Sequence, residues 1–326
     1  MAERSIIDQL DDAVTALLAQ RDPAAAEAAS EIDGELAELV VVARELRDLP
    51  SEQFRATLKE ELGGKDDMST ARREIRFKRE GFHTVTPYLI VKPAVELVDF
   101  VKQAFGAVEA LRFGSAEGLH CEVRIGDSTV MIVGGPAFDP RPAAMHFYVP
   151  DVDQVYDRAV AAGATSLAAP SDQEYGERIA AVKDIAGNEW YIAKPFHPTP
   201  VQDLHAVTVY FHPIGAPKFI NFLENAFGAQ VVERHQSPEG FVYHAKVRLG
   251  DSIVEMGEAH DQWQPMQSAI YMYVEDVDAT YRQALSAGAT SASEPTDQPY
   301  GDRTASINDE FGNVWQLATW QGPHRL

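Results

Sequence analysis

The sequence predicts an α+β fold of two tandem domains, each made of two βαβββ modules, preceded by a small helical segment. The first observation is a long internal repeat, in which residues 176–195 return as residues 301–320 with the same spacing of Gly, Arg, Asn and Trp. The second is that strand-like and helix-like stretches follow one another in the same order through each repeat. A repeat of more than one hundred residues indicates two domains of one fold rather than short solenoid units.

Further blocks extend the repeat toward the N-terminus. Residues 150–166 match 275–291, residues 120–135 match 244–259, and residues 83–91 match 205–213. The similarity therefore spans roughly residues 80–197 and 203–322. We place the first domain at residues 81–198 and the second at residues 199–326.

Composition limits the classes of function. The chain has 326 residues and a formal net charge of −22, which argues against a nucleic-acid partner because phosphate contacts need clustered Lys and Arg. Cys121 is the single cysteine, which fits a reducing cytoplasm. The first residues lack a basic start followed by an apolar run, so we expect no signal peptide, no membrane partner and a cytoplasmic location.

The region before the repeats reads as helices. Apolar residues recur at helical spacing in residues 1–64, with a break at Pro23 and a stop at Gly63 and Gly64. Residues 65–80 are polar and rich in charge, which is typical of a linker. We expect the helices to pack on the body of the protein or on a partner chain.

Each predicted domain repeats one order of elements. In the first module we expect a strand at 84–91, a helix from about 93 to 105, and strands near 109–113, 120–125 and 129–133. In the second we expect a strand at 145–149, a helix at 152–162 that stops at Gly163, and a last strand at 189–193. The second domain repeats this order, which gives a mostly antiparallel sheet in each domain.

Several motifs carry a family resemblance. They are VTPYLIV at Val85, AFGA at the end of each first helix, H-x-x-V-R-[IL]-G-D-S, DVD…AGAT and Y-G-[ED]-R…D…G-N-x-W. With them the chain resembles the vicinal oxygen chelate superfamily of glyoxalases, bleomycin-resistance proteins and dioxygenases, in its PhnB-like branch. The pattern in residues 33–62 is also similar to helical segments of some anti-sigma-factor-like proteins. The resemblance implies two tandem vicinal-oxygen-chelate domains, each of which curls its two modules into a cup.

The resemblance also implies where a metal would bind. Metal-dependent members carry His or Gln on the first strand of a module and Glu on the last strand. The matching positions here are Thr86, Met131, Ala144, Tyr191, Thr208, Glu255, Ala269 and Gln316. The first domain thus offers no ligand, and the second offers one carboxylate and one amide. We therefore expect no metal and no cofactor.

Strand alternation predicts what lines each cup, because every second side chain faces the same side. The cup of the first domain would hold Thr86, Tyr88, Met131, His146, Tyr148 and Tyr191. The cup of the second would hold Thr208, Tyr210, His212, Glu255, Tyr271, Tyr273 and Gln316. Tyrosine walls with a few polar groups suit a small aromatic or amphipathic ligand, although the same tyrosines could simply fill the interior.

The second cup holds the candidate catalytic residues. Glu255 among aromatic side chains would have a raised pKa and could form an acid–base pair with His212. The bland alternative is that a tyrosine hydroxyl holds Glu255 and that His212 lies in solvent at a strand end. His83 and His205 share one repeat position, as do His120 and His244, which favours structural roles for all four.

Three functions follow from these observations. The first is metal-independent binding of a small molecule, as in drug-binding members of the superfamily. The second is a lyase or isomerase reaction that uses Glu255. The third is a ligand-sensing regulatory protein whose residues 1–64 contact a protein partner. We expect a monomer or a homodimer, since the internal duplication can replace the pairing of single domains.

Overall fold

The protein is described here from a computed structural model that covers residues 77–115, 117–197, 204–261 and 263–322. These residues belong to one compact unit, Thr70–Leu326. The predicted helices of residues 1–64 and most of the predicted linker, residues 65–80, lie outside the described residues.

Four βαβββ modules follow one another along the chain. The first contains β1 (Val85–Val91), α1 (Ala94–Phe105), β2 (Val108–Ser115), β3 (Gly118–Ile125) and β4 (Ser128–Gly134). The second contains β5 (Ala144–Tyr148), α2 (Val152–Ala161), β6 (Thr165–Gln173), β7 (Glu177–Lys183) and β8 (Glu189–Pro195). The third contains β9 (Val207–Phe211), α3 (Ala216–Phe227), β10 (Gln230–Gln236), β11 (Val242–Leu249) and β12 (Ser252–Met256). The fourth contains β13 (Ala269–Tyr273), α4 (Val277–Ser286), β14 (Thr290–Asp297), β15 (Asp302–Asn308) and β16 (Val314–Trp320).

Repeated motifs explain the helix ends. The side chains of Asp151 and Asp276 cap α2 and α4 by accepting hydrogen bonds from backbone N–H groups three residues on, at 3.0 and 2.9 Å. α1 and α3 end at Gly106 and Gly228, whose φ angles of 70° and 67° lie in the left-handed region that glycine adopts without strain. The DVD and AFGA motifs therefore mark helix boundaries.

The motif D…G-N-x-W forms a buried hydrogen-bond network in each repeat. The carboxylate of Asp184 accepts hydrogen bonds from the Asn188 backbone and side chain and from the Trp190 indole, at 2.9 to 3.0 Å. Asp309 makes the same bonds in the second repeat, including one of 2.9 Å from Trp315. Both indoles are fully buried in the core. This shared motif therefore has a structural role: it holds a tryptophan in the core of each repeat.

The sixteen strands of the described residues form two curved sheets of eight strands each. One has the order β14-β15-β16-β13-β1-β4-β3-β2 and contains the first and fourth modules; we call it the outer-module cup. The other has the order β10-β11-β12-β9-β5-β8-β7-β6 and contains the second and third modules; we call it the inner-module cup. Most neighbouring strands are antiparallel, as predicted.

The prediction that the two modules of one repeat share a cup is wrong. The centres of the sheets are the antiparallel pairs β1–β13 and β5–β9, which join strands of different repeats. In the register of these pairs Thr86 lies opposite Tyr271, and Thr208 lies opposite His146. Each cup therefore takes half of its wall from each repeat.

The hydrophobic cores, in contrast, follow the repeats. One core combines the first two modules, with Leu97 of α1 and Trp190 of β8 among its buried members. The other combines the last two modules and contains Phe219 and Trp315. A strand presents one face to the helices and the other to the cup, so the two faces of a sheet can join different modules.

The G-D-S turns join the two repeats. Asp127 accepts a hydrogen bond of 2.8 Å from the backbone N–H of Ala206, and Asp251 accepts one of 2.7 Å from that of Thr84. The serine after each aspartate accepts from the next backbone N–H of the opposite repeat, at 2.9 and 3.0 Å. Each turn therefore fixes the start of the first strand in the other repeat.

Candidate functional site

The inner-module cup is organised around a buried carboxylate. Glu255 of β12 has no solvent-exposed surface. Its Oε1 accepts a hydrogen bond of 2.9 Å from the hydroxyl of Tyr148. Its Oε2 lies 2.9 Å from Nε2 of His244 and 3.2 Å from Nδ1 of His146. Three side chains from two strands, β5 and β11, thus converge on one carboxylate.

These neighbours keep Glu255 ionised. Burial acts to raise the pKa of the carboxyl, but the charge and hydrogen bond of His146 and the hydrogen bond of His244 outweigh it, so the pKa lies well below its usual range. The prediction of a raised pKa for Glu255 is therefore wrong. Burial and the negative charge of Glu255 in turn raise the pKa of Tyr148, which stays a hydroxyl donor.

The structure gives Glu255 and His212 different hydrogen-bond partners. Nε2 of His212 lies 2.8 Å from the hydroxyl of Tyr191, which also donates a 2.8 Å bond to Glu189. His212 is buried rather than solvated at a strand end, and burial lowers its pKa to about 4. It is uncharged at neutral pH, so the proposed acid–base pair is replaced by two separate networks.

His146 has one nitrogen engaged and one without a partner. The side chain is 6% exposed and its ring stacks on Tyr148, with centroids 4.5 Å apart. Nδ1 faces Glu255, whereas Nε2 is buried without a hydrogen-bond partner among the described residues. Buried polar atoms in folded proteins are almost always bonded, so an orphan nitrogen indicates a place for a ligand or a water molecule.

Aromatic rings surround this polar centre. Tyr191 and Tyr210 pack edge to face at 5.1 Å, and Trp263 packs against Tyr191 at 5.4 Å. Trp263 also stacks on His212, with planes 5° from parallel. A cleft of about 420 Å³ adjoins His212 and is bordered by Met266, by Lys218 of α3 and by Phe311. The inner-module cup thus combines aromatic walls with the buried polar groups around Glu255 and His212.

The outer-module cup has different chemistry. In the strand register, Met131 lies beside Tyr88 in the same way that Glu255 lies beside Tyr210 in the inner-module cup. A methionine therefore occupies the position of the carboxylate. Tyr271 occupies the position of His146, because each lies opposite the threonine of a first strand. The buried contact between His146 and Glu255 therefore has no counterpart at the matching positions of the outer-module cup.

The outer-module cup carries a buried acid on another strand. Asp302 of β15 is 1% exposed and accepts hydrogen bonds from the hydroxyls of Tyr271 and Tyr273, at 2.5 and 3.2 Å. Burial raises its pKa, although these hydroxyl bonds and the nearby charge of Arg79 act in the opposite direction. Sequence analysis missed Asp302 as a site residue, although the acid of Y-G-[ED]-R in both repeats was a usable signal.

The segment before β1 covers the outer-module cup. Phe77 packs on its cluster of buried aromatic residues, and Phe82 meets Tyr273 edge to face at 5.7 Å. The guanidinium of Arg79 lies over the Phe82 ring at 4.7 Å and makes two hydrogen bonds with Glu122, at 2.7 and 2.9 Å. Residues assigned to the linker thus fill this cup from within the chain.

The predicted lining residues sort into the two cups as follows. The outer-module cup holds Thr86, Tyr88, Met131, Tyr271, Tyr273 and Gln316; the inner-module cup holds His146, Tyr148, Tyr191, Thr208, Tyr210, His212 and Glu255. The predicted distribution between the cups is wrong, because each sheet joins modules of different repeats. His244, predicted as a structural strand residue, instead bonds to the central carboxylate.

The residues at the implied metal positions do not fit a divalent metal. Both oxygens of Glu255 accept hydrogen bonds, and the nearest nitrogens of His146 and His244 are engaged with its Oε2 at 3.2 and 2.9 Å. In the described part of the chain, the one trio whose ligand atoms lie within 4.8 Å of one another is His83, Asp127 and His205 at the seam between the repeats. The two imidazole rings there are stacked, so their in-plane lone pairs do not converge.

Four βαβββ modules that form two cup-shaped sheets define a tandem glyoxalase-fold protein. The model of the Glyoxalase/Bleomycin resistance protein/Dioxygenase superfamily matches residues 82–192 and 215–317. The chain belongs to this superfamily.

Known relatives and structures agree with this assignment. An uncharacterised protein of Mycobacterium bovis is 33% identical over 136 residues, which cover 37% of this chain and 90% of that protein. Glyoxalase I from Zea mays superposes with a TM-score of 0.56 at 14% identity, over 72% of this chain and 92% of that one. A putative dioxygenase from Bacillus subtilis gives 0.52 at 14% identity, over 73% and 85%. At these identities the two structures show a shared fold.

No helix within the described ranges is both long and apolar enough to cross a membrane. The single cysteine, Cys121, is buried, and burial raises the pKa of its thiol to about 11. A thiol with that pKa stays protonated at neutral pH and is a poor nucleophile.

Proposed function

We propose that the protein binds a small aromatic or amphipathic molecule in the inner-module cup, without a metal. The observation that carries this proposal is the orphan Nε2 of His146, buried inside an aromatic cup and backed by the ionised Glu255. A ligand that reaches this nitrogen would recover a hydrogen bond that the protein alone does not make. The surrounding rings supply stacking area for a flat molecule.

The outer-module cup supports this function less well. It lacks counterparts of Glu255 and His146, and Phe77, Arg79 and Phe82 already cover its aromatic residues. A ligand there would have to displace both Phe82 and the ion pair between Arg79 and Glu122. We therefore place the binding site in the inner-module cup.

A thermal-shift screen tests the proposal. Aromatic and amphipathic compounds are screened with metal-free protein, and any stabilising compound is then tested on the Tyr148→Phe variant. At one hundred times its dissociation constant a ligand stabilises by about 2.7 kcal/mol, which corresponds to a rise in Tm of roughly 5–10 °C for a unit of this size. We expect the rise to shrink in Tyr148→Phe.

The matched control is Tyr273→Phe, because Tyr273 stands in the outer-module cup where Tyr148 stands in the inner one. That variant should keep the full ligand-induced rise. The proposal fails if no compound binds, if binding requires an added metal, or if Tyr273→Phe rather than Tyr148→Phe weakens it.

Three finer proposals rest on sequence alone. The motifs favour the PhnB-like branch of the superfamily, the single cysteine favours a cytoplasmic location, and the amphipathic pattern of residues 1–64 favours contact with a protein partner. Removal of residues 1–64 tests the last of these. The shortened chain should still bind ligand, and it should lose a partner that the full chain captures.

A further inference from the structure

Hydrogen bonding fixes the tautomer of His146. The carboxylate of Glu255 accepts, so the Nδ1 atom that faces it at 3.2 Å carries the hydrogen. The Tyr148 hydroxyl donates to the other oxygen of Glu255, and its own oxygen, 3.3 Å from Nδ1, can share the same hydrogen. In the neutral ring Nε2 therefore presents a lone pair.

This arrangement prepares Nε2 to receive a proton. A carboxylate on Nδ1–H holds the ring in one orientation and stabilises the positive charge that forms when Nε2 is protonated. Glu255 is fully buried and ionised, so its attraction for that charge is weakly screened by water. Nε2 has no partner among the described residues and is free to take the proton from a ligand.

We propose that the inner-module cup binds a phenol and that Nε2 of His146 takes its hydroxyl proton, so that the ligand is held as a phenolate. This inference rests on the proposed function. In the step, the ligand O–H bond breaks and an Nε2–H bond forms, while the electron pair stays on the phenolate oxygen. Glu255 balances the imidazolium, and no further reactant is needed.

Two features select a phenol over other ligands. The rings of Tyr148, Tyr191 and Tyr210 lie 4.5–6.5 Å from the His146 ring, so a ligand at Nε2 meets aromatic neighbours, which favours an aromatic ring over an aliphatic chain. Imidazole and phenol have reference pKa values of about 6.5 and about 10, and electron-withdrawing substituents bring the pKa of a phenol closer to that of imidazole, so such phenols give up their proton most readily. A carboxylic acid is already ionised at neutral pH and has no proton to give.

4-Nitrophenol is a suitable probe because its anion absorbs at a longer wavelength than the neutral form. The full-length protein is titrated with it at a pH where free 4-nitrophenol is mostly neutral, and binding and anion absorbance are recorded separately. We expect the bound fraction to show the anion band. In His146→Gln we expect the band to be lost, and in Glu255→Gln we expect the anion yield to fall about tenfold or more, the equivalent of one pKa unit or more.

Controls separate the proton transfer from folding. Tyr273→Phe, in the outer-module cup, should keep the anion band. Nitrogen NMR of labelled histidine gives a readout independent of any variant: the Nε2 signal of His146 should change from an unprotonated to a protonated nitrogen when 4-nitrophenol binds. This measurement stands even if Glu255→Gln does not fold.

The outcomes distinguish this inference from the proposed function. Binding of 4-nitrophenol in neutral form, with Nε2 unprotonated, overturns the inference and supports ligand binding in the cup. Binding of other aromatic compounds but not of 4-nitrophenol likewise overturns the inference and supports ligand binding in the cup. If no aromatic compound binds at all, both proposals are overturned.

Discussion

The imidazole rings of His83 and His205 stack face to face at the seam between the repeats, with centroids 3.4 Å apart and planes 15° from parallel. Nε2 of His83 lies 2.9 Å from the carbonyl oxygen of Asp127, and Nε2 of His205 lies 2.7 Å from that of Asp251. Nδ1 of each ring faces the carboxylate of the other aspartate, at 4.0 Å for His83 and 3.1 Å for His205. The two rings thus lie between the two turns that fix the first strands.

This seam should make stability depend on pH. Burial acts to lower the pKa of His83, but the hydrogen bonds and charges of Asp251 and Asp127 raise it overall. A group with a raised pKa in the folded state stabilises the fold fully below its unfolded pKa of about 6.5, and this contribution is lost as pH rises through the folded value. We expect Tm to fall between about pH 6 and pH 8, and the fall to be smaller in His83→Gln. Thermal unfolding across this range measures both, and an identical slope in the variant would exclude His83 as the cause.

The buried hydrogen-bond network around Asp184 should contribute strongly to the free energy of unfolding. Asp184→Ala would leave the Trp190 indole and the Asn188 side chain without their acceptor. Each buried donor left unbonded costs about 1–3 kcal/mol, so for two donors we expect a loss of about 2–6 kcal/mol in the free energy of unfolding. Urea denaturation measures it. Asp172→Ala, which removes an exposed partner of Arg178, is the control and should leave the free energy of unfolding nearly unchanged.

One substitution should expose the aromatic residues that Phe77, Arg79 and Phe82 cover in the outer-module cup. Arg79→Ala leaves Glu122 buried without its two-pronged partner. Breaking a buried pair costs about 3–5 kcal/mol, but part of Arg79 is exposed and water screens it, so we expect about 1–3 kcal/mol. We also expect increased fluorescence of an added hydrophobic dye as the aromatic cluster becomes accessible.

Arg112→Ala, which removes a surface pair with Glu109, is the matched control for this opening. It should leave both the dye signal and the free energy of unfolding nearly unchanged. Equal effects of the two arginine variants would show that Arg79 does not cover the cup.

Metal content tests the interpretation of Glu255. Because both of its oxygens accept hydrogen bonds from neighbouring side chains, we expect no stoichiometric metal after incubation with Ni, Fe, Mn or Zn. Elemental analysis by plasma mass spectrometry measures this directly. A stoichiometric metal that disappears in Glu255→Gln would overturn the assignment of the cup as metal-independent. A metal that disappears only in His205→Gln would place it at the seam.

Much of the candidate site was within reach of sequence reasoning. Strand alternation placed His146, Tyr148 and Glu255 on faces that line a cup, because side-chain direction along a strand is a local property. The charge state of Glu255 was not within reach. It depends on His146 and His244, which come from another module and another strand and whose distances only the fold sets.

The sequence by itself determined the four modules, their helix caps and the buried hydrogen-bond networks of D…G-N-x-W, since each depends on residues close together in the chain. Only the tertiary structure decided which modules share a sheet. The joining contacts, β1 with β13 and β5 with β9, are backbone hydrogen bonds between similar strands, and every module offers the same local pattern to any partner. The side-chain bonds of the G-D-S turns cross between repeats, and only in the folded chain do they bring Asp127 to Ala206 and Asp251 to Thr84.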